Sequence, residues 1–279
     1  MKIYVMTDME GVAGVLDHDN WCQPPGGAFP GLFYGPGREL LTREVNAAVA
    51  GLCAGGADEI VVADGHGAGG IDPTLLDPRA RLMRGWPNGW PLGLDKTCDA
   101  VAWVGQHAKA GTPHAHIAHT QWFNWLDHRL NGVSIGEFGQ FALCAGELGI
   151  PCIFGSGDQA FCHEADALAP GIKTVAVKEG TQRDDGADLD TDAYMHHNLG
   201  AIHLHPTLAR EAIEQGALDA MRRLGNAPAP DLVVKLDPPY EQVIRYRPDR
   251  PGEPRRVFRA SHSGSISALF NIHGDALPE

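Results

Sequence analysis

The chain opens with a short apolar run, Ile3-Tyr4-Val5-Met6, whose β-rich composition predicts a buried strand. From Asp8 to Gly37 glycine and proline dominate, so this stretch predicts mostly loop. Apolar residues recur at helical spacing from Glu39 to Cys53, and Gly55-Gly56 closes that helix as a C-cap would. Glu59-Ile60-Val61-Val62-Ala63 predicts a second strand, ending at Asp64-Gly65-His66-Gly67. Arg81 to Met83, flanked by Pro78 and Pro87, predicts a third. A further strand, Ala100-Val101-Ala102-Trp103-Val104, stops at Gly105-Gln106-His107. Asn131-Gly132 marks a hairpin turn. Glu137 to Gly149 then predicts a helix, Cys152-Ile153-Phe154 a strand before Gly155-Ser156-Gly157-Asp158, Gln159 to Leu168 a helix, and Lys173 to Val177 a strand.

Strands alternating with helices imply crossover connections, and so an α/β fold with a mostly parallel sheet flanked by helices. Polar or glycine-rich clusters repeatedly follow the strand ends, where open parallel sheets bind their ligands. Asp8, His66 and His107 all sit at such ends. After Glu179 the texture changes. Gln182 to Asp192 is an aspartate-rich loop, Pro206 to Leu224 predicts one long amphipathic helix, and Pro228 to Pro230 breaks it. Leu232 to Leu236 and Val257 to Arg259 predict strands. The expected organisation is a metal-binding α/β catalytic domain over residues 1–160 and a smaller α+β C-terminal part over 161–279, serving oligomerisation and pocket lining.

Composition narrows the function classes. The chain has 279 residues, 43% of them hydrophobic, enough for a substantial core. Its formal net charge of −13 argues against nucleic acid or an anionic membrane as partner. No run of eighteen apolar residues predicts a membrane span, and the N-terminus reaches Asp8 too soon for a signal peptide. Six cysteines without a Cys-x-x-Cys pair read as reduced thiols, and point to the cytoplasm. Fourteen histidines is a high number, and His107, His114, His116 and His119 crowd into one short segment that surface tuning does not explain.

Asp8-x-Glu10 directly after a strand places two hard oxygen donors on one side of an extended backbone, which suits a divalent cation. A capping aspartate beside a solvated glutamate is the blander alternative. His66 lies in Asp64-Gly65-His66-Gly67-Ala68-Gly69-Gly70, a formal match to the dinucleotide fingerprint; Ile71-Asp72-Pro73 follows, however, and is no helix start for a pyrophosphate. Imidazole is the commonest nitrogen ligand of zinc, yet four neighbouring histidines cannot all bind one small site, so one or two are expected to function. Glu137 opens a helix, where an acid also gains from the helix dipole. Together these carboxylates and histidines fit a two-metal hydrolytic site.

The joint order Asp8-x-Glu10-Gly11, Asp64-x-His66, Gly105-x-His107-Ala108-Lys109-Ala110, Thr112-Pro113, His119 and Gly136-Glu137 resembles the zinc-dependent D-aminopeptidases of the bacterial dipeptide-transport operon. Val5 to Gly14 is very similar to that family's N-terminus, and the resemblance runs from residue 1 to about 180. It implies two zinc ions held by Asp8, Glu10, His66, His107 and Glu137, with Asp8 bridging them and His119 as the catalytic histidine. It also implies hydrolysis of short D-amino-acid peptides or amino-acid amides by a ring-like homo-oligomer, a decamer. The His107 to His119 segment is one residue longer than the family pattern and carries the extra His114 and His116. The Asp17 to Tyr34 loop is also unlike it. These departures leave open a dinuclear amidase acting on a small non-peptide or cyclic amide, and the Gly65 to Gly70 loop leaves open a non-enzymatic small-molecule-binding protein. A serine hydrolase built on Ser156 or Ser263 lacks the Gly-x-Ser-x-Gly elbow. His196, His197, His203 and His205 read as a surface or inter-subunit group.

Overall fold

The computed structural model describes residues 1–226 and 232–279. Its strands are β1 (Lys2–Thr7), β2 (Glu59–Asp64), β3 (Ala80–Met83), β4 (Ala100–Gln106), β5 (Trp125–Leu130), β6 (Val133–Ser134), β7 (Cys152–Asp158), β8 (Lys173–Gly180), β9 (Ala201–His203), β10 (Tyr240–Tyr246), β11 (Arg256–His262) and β12 (Leu277–Pro278). The helices are α1 (Tyr34–Ala54), α2 (Glu137–Leu148), α3 (Gln159–Leu168), α4 (Thr191–Met195), α5 (Pro206–Asn226) and α6 (Ile266–Phe270). A seven-stranded sheet runs β3-β2-β1-β4-β7-β8-β9, and every neighbouring pair is parallel except β8 with β9. The expected α/β class is what forms, because β1, β2, β4 and β7 are buried almost throughout and read as unbroken apolar runs.

A second, antiparallel sheet of five strands runs β12-β11-β10-β5-β6. The Asn131-Gly132 turn joins β5 to β6, with both residues at positive φ, as a tight hairpin turn requires. The two sheets share the chain unevenly. β8 and β9 complete the first sheet beyond residue 160, while β5 and β6 belong to the second, so an expected division near 160 falls inside the seven-stranded sheet. Three further expectations change. Helix α1 starts at Tyr34, inside the span read as loop, and a turn of π-helix occupies His18–Cys22. Gly155-Ser156-Gly157-Asp158, expected to follow the strand, is instead the buried end of β7, where the two glycines make room for the Phe161 ring. Leu232 to Leu236 is irregular rather than a strand: Leu232 and Val234 are buried, and the Val234 carbonyl lies against Gly146 of α2, where no strand partner is available. The expected break at Pro228 to Pro230 lies outside the described residues. Among those described, no helix is long and apolar enough to cross a membrane.

Candidate metal centre

The carboxyl ends of β1, β2 and β4 and the first turn of α2 meet at one edge of the parallel sheet. Past Thr7 the chain folds over the end of β4. The Asp8 N–H donates to the Val104 carbonyl at 3.0 Å, and the Gly11 N–H to that of Gly105 at 2.8 Å. Gly105, at φ +77°, lies against the Asp8 carbonyl so closely that any Cβ would collide with it. The carboxylates of Asp8 and Glu10 are thereby held over the strand ends, almost fully buried.

Asp8, Glu10, His66, His107, His119 and Glu137 are all brought together. Among the described residues, potential metal donors gather in two groups, Asp8 with Glu10 and His66, and His107 with His119 and Glu137; within each the donor atoms lie within 4.8 Å of one another. Asp8 joins the groups: its Oδ1 is 3.2 Å from His66 Nδ1 and its Oδ2 is 3.1 Å from His107 Nε2. Glu10 Oε2 also stands 3.2 Å from His66 Nδ1. Glu137 Oε1 lies 3.6 Å from His107 Nε2 and 3.9 Å from His119 Nε2.

Each histidine faces a backbone carbonyl with its other nitrogen. His66 Nε2 meets Cys22 O at 2.6 Å, His107 Nδ1 meets Ala108 O at 2.9 Å, and His119 Nδ1 meets Ile117 O at 2.9 Å. A carbonyl only accepts, so these nitrogens carry the proton. In the neutral rings the opposite nitrogen turns a lone pair toward carboxylates, which is how metal-ligating histidines are oriented. Glu10 Oε2 and His107 Nε2 are buried without a hydrogen-bond partner, as befits atoms arranged to meet a cation. Left to protons, the cluster balances its charge differently. Burial opposes protonation of His66, yet the Glu10 and Asp8 carboxylates hold its pKa well above the usual value. Against the same opposition, Glu137 and Asp8 raise His107 to about 10. Burial lifts the Glu137 carboxyl to about 7, with His107 opposing. A divalent cation would take the place of the two histidine protons. The donor set therefore fits one.

His119 is stacked between His107 (ring centroids 4.1 Å apart) and Phe123 (4.4 Å). Burial, then the charge of His107, holds its pKa well below normal. It borders a cavity of about 320 Å³, together with Asp8, Glu10, His66 and Glu137. Trp86, Trp90, Leu92, Trp122 and Phe141 supply the apolar walls.

Several supports carry no motif of their own. Lys178, buried, donates to the Glu10 carbonyl and, at 3.5 Å, to that of Val15. Arg84 donates to the carbonyls of Asp64, His66 and Gly67. Asp64 accepts from Gly70 N–H at 2.8 Å, closing the glycine-rich turn, and no helix follows it. Trp86 and Trp90, close together between Arg84 and Leu92, are a compositional sign of the cavity's apolar wall. The extra histidines lie apart: His114 is exposed, and His116 is a core residue facing the Leu16 and Leu199 carbonyls, its pKa pushed down to about 2 by burial and then by the Lys178 charge. The later cluster disperses too, His196 pairing with Asp19 at 3.1 Å and His203 accepting from Gly14 N–H.

Residues 1–249 match the model of peptidase family M55, described as D-aminopeptidase. The chain belongs to this D-aminopeptidase family. It is 32% identical over 186 residues to a D-aminopeptidase of Bacillus subtilis strain 168. That stretch covers 66% of this chain and 65% of the relative, so the match spans just under two thirds of the relative's length. The fold is similar to that of the zinc-dependent D-aminopeptidase DppA from Bacillus subtilis, described as a self-compartmentalizing protease. The TM-score is 0.76 at 23% identity, over 96% of this chain and 94% of the other. The family's D-aminopeptidase description agrees with the resemblance carried by Asp8-x-Glu10, His66, His107, His119 and Glu137.

Proposed function

We propose that this member of the family is a zinc-dependent aminopeptidase that hydrolyses short D-amino-acid peptides or amino-acid amides at a two-ion centre. The observation that carries the reading is the shared orientation of three histidines, each bound to a carbonyl through one nitrogen and turned toward Asp8, Glu10 or Glu137 through the other. Asp8, Glu10 and His66 would hold one ion, and His107, Glu137 and the second oxygen of Asp8 the other. Ions so held supply a Lewis acid for the scissile carbonyl and a nucleophilic water at neutral pH. His119 faces the cavity while His107 lies behind it. With its Nδ1 proton committed to Ile117, its Nε2 faces the cavity, where it would stabilise the developing oxyanion or pass a proton to the leaving amine, the depressed pKa making the protonated ring a ready donor. The apolar walls limit the water around the scissile bond.

The relative's self-compartmentalizing character supports a homo-oligomer, and the family resemblance makes it a decamer. Six free cysteines, five of them buried, suit the cytoplasm. The test is elemental analysis of the purified chain, then turnover of D- and L-dipeptides, amino-acid amides and small lactams. Two zincs per chain and cleavage of D-dipeptides or D-amides are the expected result. Cleavage of lactams alone would transfer the chemistry to a cyclic amide. A protein that neither holds nor responds to divalent metal would refute the reading.

A further inference from the structure

A second cavity, of about 200 Å³, opens behind the first. The two share Trp90 and Gln121 as lining residues, so they adjoin at these side chains, which edge the partition between them. The partition is braced from both sides. Asn271 clamps the Trp90 backbone, accepting from its N–H at 3.0 Å and donating to its carbonyl at 2.9 Å, and Phe270 meets the Trp90 ring edge-on at 5.4 Å. Gln121 donates its backbone N–H to Glu137 at 2.7 Å and its side-chain amide to Gln140 at 2.8 Å, and Gln140 donates on to His128 Nδ1 at 2.9 Å. The metal centre and the second cavity are therefore joined through one chain of hydrogen bonds.

The lining mixes aromatic and apolar side chains with uncharged polar ones, and His273 stands at its edge. Trp125, Ile244, Tyr246, Phe258 and Phe270 give aromatic and apolar walls, and Gln140, Gln242 and His128 a polar floor. No aspartate, glutamate, lysine or arginine borders the cavity. With Nδ1 accepting from Gln140, His128 carries its proton on Nε2, which is buried without a hydrogen-bond partner beside Gln242. An apolar cavity of about 150 Å³ accommodates a benzene ring. The volume here suits one phenyl or phenol side chain, and a methyl group would leave it largely unfilled. A charged side chain would enter without a counter-ion.

We propose that this cavity is a specificity subsite, which receives the side chain of a residue flanking the scissile amide and selects neutral aromatic side chains. The inference rests on the aminopeptidase reading for the identity of its ligand, and on the shared partition for its place. It also gives the second sheet a role, because β5, β10 and β11 build three of the walls.

The test uses the full-length, zinc-loaded protein and dipeptides varied at each position in turn: alanine, phenylalanine, tyrosine or lysine, in the D form. The expected result is a kcat/KM for phenylalanine or tyrosine at least about tenfold above alanine at one of the two positions, with lysine lowest. Phe258→Lys, on a half-buried strand position, should bring the aromatic-to-alanine ratio to about one. Trp125→Ala provides a second variant should the first fail to fold, with zinc content and circular dichroism as controls. A ratio no greater than one at both positions, or one unmoved in a folded variant, overturns the subsite. If no peptide is cleaved, the aminopeptidase reading has failed by itself. Calorimetry with D-phenylalaninamide and D-alaninamide then decides the cavity: tighter aromatic binding that is lost in the variant upholds it, and equal binding overturns it.

Discussion

His119 differs from His66 and His107 in what its free nitrogen meets. His66 Nδ1 and His107 Nε2 each stand within 3.2 Å of a carboxylate oxygen, whereas His119 Nε2 has only Glu137, at 3.9 Å, and the cavity. His119→Ala should therefore leave the metal content near wild type and lower kcat/KM by about a hundredfold or more. Loss of one zinc in that variant would make the residue a ligand instead. Asp8→Asn should do the reverse and deplete both ions, since one oxygen serves each group; elemental analysis that finds one ion retained would dispose of the bridging role. A third residue sets an acid limit. Burial lowers His128 to about 4, against about 6.5 in an unfolded chain. Between those values the unfolded state binds the extra proton, so stability rises with pH across this window and is lost as pH falls through it. Urea unfolding at pH 7 and pH 5 should show wild type losing about 2 kcal/mol more than His128→Gln. Equal losses would remove His128 as the cause.

At the scale of elements, the site depends on how tightly the loop after β1 lies on the end of β4. Gly105 combines a positive φ with direct contact to the Asp8 carbonyl. Gly105→Ala is expected to cost more than about 2 kcal/mol and to lower zinc occupancy, read by thermal unfolding beside metal analysis. Full occupancy at unchanged stability would show that the loop has slack. The placing of Asp8, His66 and His107 at strand ends was legible in the sequence, because fully buried parallel strands read as plain apolar runs that stop abruptly at polar residues. Strand β10 was not recognised, since Glu241, Gln242 and Arg245 interrupt it, although Tyr240, Gln242 and Ile244 do alternate in burial. Leu232 to Leu236 misled for the opposite reason. Its apolar residues pack onto α2, and burial alone does not confer strand pairing.

For the molecule as a whole, metal and protons would compete for one charged cluster. With His66 and His107 both held above their usual pKa and Glu137 raised to about 7, zinc loading near neutral pH should release about two protons per chain from the histidines and about half of one more from Glu137. Affinity should fall as pH falls. Calorimetry in buffers of different ionisation enthalpy measures the release, and a value near zero would mean that the histidines are already neutral in the metal-free protein. Because only the folded chain gathers these donors, a chelator should lower the melting temperature, and the loss corresponds to about 4 kcal/mol for each ion whose free concentration stands at a thousandfold over its Kd.

The sequence by itself determined the class of fold and the family, and named the donors that the proposed centre would use, because apolar periodicity and the order of short motifs are properties of the chain alone. His119, singled out by its motif, acquired a direction only when its ring was fixed between His107 and Phe123. What the tertiary structure decided were the relations between distant segments. It dispersed His114, His116 and the later histidines into separate environments, brought Lys178 beneath Glu10 from far along the chain, and set Trp90 against Phe270 between two cavities. Such contacts leave no local periodicity, since each depends on how sheets and loops from separate parts of the chain come to rest on one another.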